Sequence, residues 1–307
     1  MKNEQSIAAV VVTYNRKQLL LECIDALLNQ GVQLDIFIVD NASTDGTEKA
    51  VTAYLEKNRN LFYFNTGSNK GGAWGFNYGI RQAAEKDYTY IWIMDDDCIP
   101  CSGALKELLN AAEGLDDQFG FLASHVLWKD MKTCVMNVPR RTVFSKVRSF
   151  DQNLINIKMS SFVSLFIKGR TIKQYGLPIK EFFIWTDDWE FTRRISMHEN
   201  CYLVNNSKVI HKSNSNIGAD ISSDSKERLE RYYYLYRNDV YLYRREGLLG
   251  FLYELLRLGY HSAKIMLKAK DNKKARFMKI IKGTKAGLTF NPEIKYIGKS
   301  DSEEEKQ

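Results

Sequence analysis

Three consecutive aspartates, Asp95-Asp96-Asp97, follow the apolar run YIWIM at 90–94. Adjacent carboxylates repel one another, and a hard divalent cation relieves that repulsion. Mg2+ typically takes one or two carboxylates together with phosphate oxygens. In extended backbone alternate side chains share a face, so Asp95 and Asp97 are expected to face one ligand site while Asp96 points elsewhere. A solvated acidic turn is the alternative. A second acidic site lies in FFIWTDDWEF, residues 182–191, where Asp187 and Asp188 sit among Trp and Phe side chains. Desolvation there raises a carboxylate pKa, which suits a general base working near neutral pH. Helix capping by Thr186 or Asp187, with Glu190 in the first turn, explains the same residues structurally, and both readings can hold. His211 opens HKSNSN after the strand-like Cys201–Ile210. A lone histidine is more often structural than a ligand. His125, His198 and His261 have no acidic motif beside them.

These groups need elements to position them. Ile7–Thr13 is a β-branched run read as a buried strand, and 16–30 carries helical spacing at Leu20, Cys23, Ile24 and Leu27. Strands over 34–39, 61–65 and 88–94 alternate with helices over 44–55, 70–84 and 105–112, which means βαβ units and a mostly parallel sheet. Ligands of such sheets bind at the carboxyl ends of the strands. That is where the polar clusters fall: Thr13-Tyr14-Asn15-Arg16, Asp40-Asn41-Ala42-Ser43 and Asp95-Asp96-Asp97. A glycine-rich turn at 70–75 opens the third helix. Residues 120–217 are mixed, and the chain turns helical from about Ser225.

The 307 residues are 44% hydrophobic and 26% charged, with 19 Gly and 4 Pro, which excludes collagenous, low-complexity and wholly disordered chains. Five cysteines without regular spacing argue against a disulfide framework, and Cys98 and Cys101 read as incidental thiols. No signal-peptide core and no long apolar run is present, so a reducing cytoplasmic setting is expected. The net charge of +7 is moderate.

Taken in order, VVVTYNR, VDNASTDGT, NKGGAWGFNYGI, MDDDCIP, WTDDWEF and HKS resemble the motifs of family 2 inverting glycosyltransferases with a GT-A fold. The resemblance covers about 5–215 and is most like bacterial galactofuranosyltransferases and rhamnosyltransferases. It implies an α/β catalytic domain over 1–222 with a Rossmann-like, mixed, mostly parallel sheet. The nucleotide-sugar half would be about 1–100 and the acceptor half about 101–222, with a helical region at 223–290 and a flexible tail at 291–307. It implies that Thr13, Asn15 and Arg16 line the nucleotide, that Asp40 accepts from the base with Asn41 and Ser43 nearby, and that Asn69, Gly71 and Gly72 approach the sugar-phosphate. Asp95 and Asp96 would face ribose and diphosphate; Asp95, Asp97 and His211 would hold Mn2+ or Mg2+. Asp188 would be the base, with Asp187 placing an acceptor hydroxyl. The donor is expected to be UDP-galactofuranose, then dTDP-rhamnose or another UDP-hexose. The acceptor would be a glycan or polyprenyl-diphosphate-linked glycan of O-antigen, capsule or cell wall. The family's QxxRW signature is absent, which leans toward adding one or a few sugars.

A nucleotidyltransferase would place a Gly-rich loop with Arg and Lys where this chain has TYNR. A non-catalytic sugar-binding module has little need for a metal triad and a second acidic pair, and the acidic rim argues against nucleic acid. Finally, 247–268 sets leucines among Glu254, Arg257, His261 and Lys264, too interrupted to span a bilayer. Lys264, Lys268, Lys270, Lys273, Lys274, Arg276, Lys279, Lys282 and Lys285 follow, with Asp271 between them. Peripheral docking on the inner leaflet, with Arg237 and Tyr232–Tyr236 at headgroup level, is expected; packing on the catalytic domain or on a sister subunit is the alternative.

Overall fold

Strand β1 (Ile7–Thr13) is apolar up to its last residue and buried throughout, as a strand covered on both faces must be. The computed structural model describes residues 5–298. The first four residues and 299–307, most of the tail expected to be flexible, lie outside them. The chain continues through α1 (Lys17–Leu28), β2 (Asp35–Asp40), α2 (Thr47–Leu55), β3 (Leu61–Asn65), α3 (Gly72–Glu85) and β4 (Tyr90–Asp95). Then come β5 (Cys98–Pro100), α4 (Ala104–Gly114), β6 (Phe121–Trp128), β7 (Arg140–Thr142), β8 (Ser145–Lys146), β9 (Leu154–Ile157) and β10 (Leu165–Lys168). The last elements are α5 (Gly169–Tyr175), α6 (Asp187–Ser196), β11 (Cys201–His211), α7 (Arg231–Arg244), α8 (Gly247–Lys268) and α9 (Lys273–Thr289).

The main sheet runs β3-β2-β1-β4-β10-β6-β11-β5, with β9 also on β11. Strands β1, β2, β3, β4, β6 and β11 point one way, and β5, β9 and β10 point the other. The sheet is therefore mostly parallel, as expected. Alternation along β1 splits the core: Ala9 and Val11 join Leu20 and Ile24 of α1, while Ala8 and Val10 join Phe76 and Ile80 of α3. Helix α3 lies very close to the sheet; a Cβ on Gly79 would stand 2.6 Å from Val10 Cγ1.

Some boundaries move. Helix α2 starts at Thr47 rather than 44, because Asp45 Oδ1 accepts from the Thr47 amide (3.2 Å) and hydroxyl (2.5 Å), while Gly46 takes φ 83°. The expected flexible tail does not begin at 291: Lys295 O accepts from Leu177 N (2.8 Å), and Ile294 packs with Ile179, Phe182 and Tyr241. The helices after 222 are not loosely attached. Tyr232, Tyr236, Asn238, Asp239 and Tyr241 of α7 are buried, and α9 lies along α7.

Candidate active site

The carboxyl ends of β1, β2, β4 and β11 carry Thr13, Asp40, Asp95 and His211, and all four strands run the same way. Beyond Asp95 the chain turns at Asp96-Asp97 and doubles back as β5 along β11. The register sets Cys98 opposite His211, and Lys212 N donates to Asp97 O (2.8 Å). That pairing brings together residues far apart in sequence. His211 Nε2 lies 3.2 Å from Asp97 Oδ1, out of hydrogen-bond alignment, so this buried oxygen has no hydrogen-bond partner. Asp97 Oδ2 accepts from Arg16 Nη1 (2.5 Å). His211 Nδ1 is 2.8 Å from Asn137 Oδ1, a second contact that orients the ring and leaves Nε2 facing the acids. Ligand atoms of Asp95, Asp97 and Cys98 lie within 4.8 Å of one another.

Burial and the charge of Asp97 push Asp95 up to about 7, and burial pushes Asp96 up to about 6. Burial also opposes the charge on Asp97, but His211 and Arg16 outweigh it and hold Asp97 below the usual carboxylate range. Burial opposes charge on His211, yet Asp97 and Cys134 carry it up to about 10. Burial keeps the Cys98 thiol neutral, a poor partner for a hard cation. Two carboxylates, one of them with an oxygen free of hydrogen bonds, and an oriented imidazole fit a hard divalent cation.

Asp96 lies in a turn rather than in a strand, and Arg16 Nη1 reaches both it and Asp97. Thr13 Oγ1 (2.7 Å) and Arg16 Nη1 (3.3 Å) donate to its two oxygens, which ties the end of β1 and the residue before α1 to the acidic turn. Asp40 is wholly buried, with Oδ1 on Ser43 N (2.8 Å) and Oδ2 on Tyr63 OH (2.6 Å). Asn15, at φ 53°, accepts from Thr44 N (2.7 Å), and its own amide donates to Ser43 Oγ (2.8 Å). Asn41 Nδ2 donates to Gly71 O (3.3 Å), while its buried Oδ1 has no partner.

The glycine turn packs tightly on the chain before α6. Asn69 Oδ1 accepts from Gly71 N (3.0 Å). Gly71 is at φ 88°, and a Cβ there would collide with the Phe183 carbonyl and ring. Its bareness therefore serves Phe183, whose carbonyl also accepts from Ala73 N (3.2 Å). Gly72 has open space where its Cβ would be. Phe183 thus joins the glycine turn to the segment that leads to the second acidic pair.

That segment is strained. Phe183 (φ 66°), Trp185 (φ 65°) and Thr186 (φ 69°) all adopt left-handed backbone, unfavourable for side chains of this size. Helix α7 holds it there. Asn238 Nδ2 lies 3.0 Å from Phe182 O, 3.2 Å from Ile184 O and 2.9 Å from Trp185 O. Arg237 Nη2 donates to Glu181 O (2.6 Å). Thr186 sits at the expected cap position, but its hydroxyl donates to Asp239 Oδ1 (2.7 Å) and accepts no hydrogen bond from the helix amides. Asp239 is in turn ion-paired with Arg257 of α8. We expect Asn238→Ala to cost about 1–3 kcal/mol by leaving buried carbonyls unpaired; urea unfolding measures it, and a loss of only a few tenths would show that the segment supports itself.

Asp187 and Asp188 open α6, where its N-terminal dipole favours acids. Asp187 is buried; Asp188 is partly exposed and accepts from Trp189 N (2.7 Å). Burial raises Asp187 to about 6. Burial, then the charge of Asp187, push Asp188 well above the carboxylate range, and Asp95 adds to the effect, so the two acidic sites feel each other.

Tyr63, Asn137, Asn238 and Asp239 carry the site but lie in no motif, and Phe183 lies in one at a position the motif does not single out. Only the polar Arg237-Asn238-Asp239 triplet inside an aromatic helix could have drawn attention. Arg231, which Arg16 and Arg228 electrostatically oppose, is a further cation facing this rim.

Residues 8–125 match the family described as glycosyl transferase family 2. They are a family 2 glycosyltransferase domain. The match to this family 2 domain runs from β1 into β6 and includes the glycine turn and the three aspartates. Galactofuranosyltransferase GlfT1 of Mycolicibacterium smegmatis is 25% identical over 296 residues, 85% of this chain and 91% of the relative. The GalNAc(5)-diNAcBac-PP-undecaprenol β-1,3-glucosyltransferase of Campylobacter jejuni is 34% identical over 118 residues, 37% of each chain. The mannosyltransferase PcManGT of Pyrobaculum calidifontis, solved with GDP-Man and Mn2+, superimposes with a TM-score of 0.54 at 17% identity, over 93% of this chain and 74% of that one. At that identity the likeness is one of fold, and the fold is GT-A.

Proposed function

We propose that this family 2 chain is an inverting, divalent-cation-dependent glycosyltransferase of cell-surface glycan synthesis. UDP-galactofuranose is the first-choice donor, and a glycan or lipid-linked glycan is the acceptor. The observation that carries the reading is that two acidic sites lie within electrostatic reach of each other: Asp95 beside the buried Asp97, which His211 contacts, and the partly exposed Asp188, whose pKa Asp95 helps raise. GlfT1 supports the sugar, and the undecaprenol-linked substrate in the Campylobacter relative's name supports a lipid-linked acceptor. With such an acceptor the enzyme works at the inner face of the membrane.

Asp188 takes the proton of the acceptor hydroxyl as that oxygen attacks the donor's anomeric carbon from the face opposite the leaving group. The anomeric C–O bond to phosphate breaks, its electron pair stays on the phosphate oxygen, and configuration inverts. Asp187, buried behind Asp188, raises its basicity and helps place the hydroxyl. Asp95, Asp97 and His211 would hold Mn2+ or Mg2+, which supplies neutralisation of the leaving diphosphate's charge. Arg16, held by Asp96 and Asp97, adds a cation beside them. Thr13, Asn15, Asp40, Asn41 and Ser43 form the nucleotide wall, and Asn69, Gly71 and Gly72 its sugar-phosphate side.

The test is a panel of UDP-galactofuranose, dTDP-rhamnose, UDP-glucose, UDP-galactose and UDP-N-acetylglucosamine with Mn2+, reading nucleoside diphosphate release. Binding without turnover for every donor would overturn the reading in favour of a binding module. The pH profile gives a second check. Only the deprotonated Asp188 can accept a proton, so turnover falls as pH drops through its raised pKa. Asp187→Asn removes one charge that raises that pKa. We expect the acid limb to move to lower pH, at saturating Mn2+, even as the maximal rate falls. An unmoved limb belongs to another group.

A further inference from the structure

Helix α8 faces the wrong way for a helix that packs on a domain. Its polar residues point inward: Arg257 pairs with Asp239, Glu254 is buried beside Arg257 (2.9 Å), His261 Nδ1 meets Tyr236 OH (2.9 Å), and Lys264 Nζ pairs with Asp220 (2.7 Å). Apart from Ile265 and Leu258, which pack inward, its leucines and methionine point outward: Leu248, Leu249, Leu256 and Leu267 are 74%, 70%, 75% and 84% exposed, with Leu252 and Met266 between them. Leu248, Leu249, Leu252 and Leu256 follow at three- and four-residue steps, and Leu267 lies about three turns beyond Leu256 on the same face, so they form one stripe along a helix about 33 Å long. Among the described residues no helix is long and apolar enough to cross a membrane.

Charge identifies what covers the stripe. Lys268, Lys270, Lys273, Lys274, Lys282 and Lys285 are exposed on the end of α8 and on α9, and Lys273 reaches back to Met266 O (2.8 Å). Lys264, Arg276 and Lys279 of the basic run are instead paired internally, with Asp220, Asp271 and Glu230. Between Gly247 and Lys285 the acids are Glu254 and Asp271, and both are paired. A second copy meeting this face would bring lysine against lysine. An anionic leaflet would meet both the stripe and the collar.

We propose that α8 lies in the plane of an anionic lipid surface, with its leucine stripe in the acyl boundary and the lysine collar among the headgroups. This deepens the membrane setting proposed above, but it does not depend on the donor chemistry. It also revises which residues meet lipid. Tyr232 and Tyr236 are fully buried and Arg237 is spent on loop carbonyls, so none of them sits at the headgroups. The docking helix reaches the chemistry through Arg257 to Asp239 to Thr186, which ends beside Asp187, and its N-cap Glu246 pairs with Arg193 of α6.

The experiment is flotation of the full chain with vesicles of phosphatidylglycerol and phosphatidylcholine in equal parts, against pure phosphatidylcholine, at low and high salt. Surface variants are used rather than deletions, because removing α8 would strip Arg257 from Asp239. The full chain is expected to float with the anionic vesicles at low salt and to be released by salt. Leu249→Glu with Leu256→Glu should weaken partitioning by about tenfold or more, with an unchanged thermal melt and unchanged donor hydrolysis. Lys268→Glu with Lys274→Glu should abolish the preference for anionic lipid. A full chain that stays in solution with anionic vesicles overturns the proposal. So does a double leucine variant that floats like the parent, or a lipid-free dimer that Leu256→Glu splits. Donor turnover with no flotation would sink this inference alone; flotation with no turnover would sink the enzymatic reading alone.

Discussion

Asp188→Asn should lower kcat by about 10²–10⁴, the usual worth of a positioned general base, while the dissociation constant for the donor changes less than about twofold. The substitution is nearly isosteric. The amide oxygen can still accept from Trp189 N, so the start of α6 keeps its hydrogen bond. What disappears is the ability to take a proton. Separating the two effects requires donor affinity by titration calorimetry alongside single-turnover rates. Asp188 is the member of the pair that solvent reaches, whereas Asp187 is buried; this is why the larger effect is expected at 188. If Asp187→Asn is the more damaging change and Asp188→Asn is mild, the roles within the pair are reversed.

Asp97→Ala should abolish cation-dependent turnover, a loss of about 10³-fold or more, since a bound cation contributes several kcal/mol of charge stabilisation to the leaving group. It should also erase the strengthening of UDP binding by Mn2+. The side chain is nearly inaccessible and stands between His211 and Arg16. Its removal leaves Arg16 without the carboxylate it donates to and takes away the charge that keeps His211 protonated. Circular dichroism therefore has to accompany the kinetics, with Asp97→Asn as the milder variant. Retained turnover in a folded Asp97→Ala protein would remove the cation assignment altogether.

The strand ends were legible because chemistry interrupts apolar runs there. Thr13, Asp40 and Asp95 each break a β-branched or aromatic stretch, and parallel topology then brings them to one rim. His211 could be named from its motif, but not placed; its contact with Asp97 depends on β5 folding back along β11. The antiparallel insertion of β10 between β4 and β6 left no trace in the pattern, since a strand buried on both sides looks the same in either direction. The support of the Asp187–Asp188 loop was hidden for another reason. Asn238 and Asp239 lie some fifty residues further on, inside a helix whose tyrosines suggest an interface. Amphipathic spacing in 247–268 revealed two faces but not which one turned inward. Three buried or half-buried partners outside the helix, Asp239, Tyr236 and Asp220, decide that, and periodicity carries no information about them.

The grip of Asn238 and Asp239 on the loop before α6 also bears on how such a chain can change over generations. A protein whose acceptor-facing helices hung from a linker could exchange them wholesale and acquire a new acceptor by recombination. Here a crossover between Ser196 and Arg237 would separate Asp187–Asp188 from the amide, carboxylate and guanidinium that hold their loop in left-handed backbone. A chimera joined there inherits the strain without its restraint. New acceptors are then reached by point changes on a conserved frame, and the catalytic sheet and the last three helices should lose their amide protection together, as one cooperative unit in hydrogen exchange.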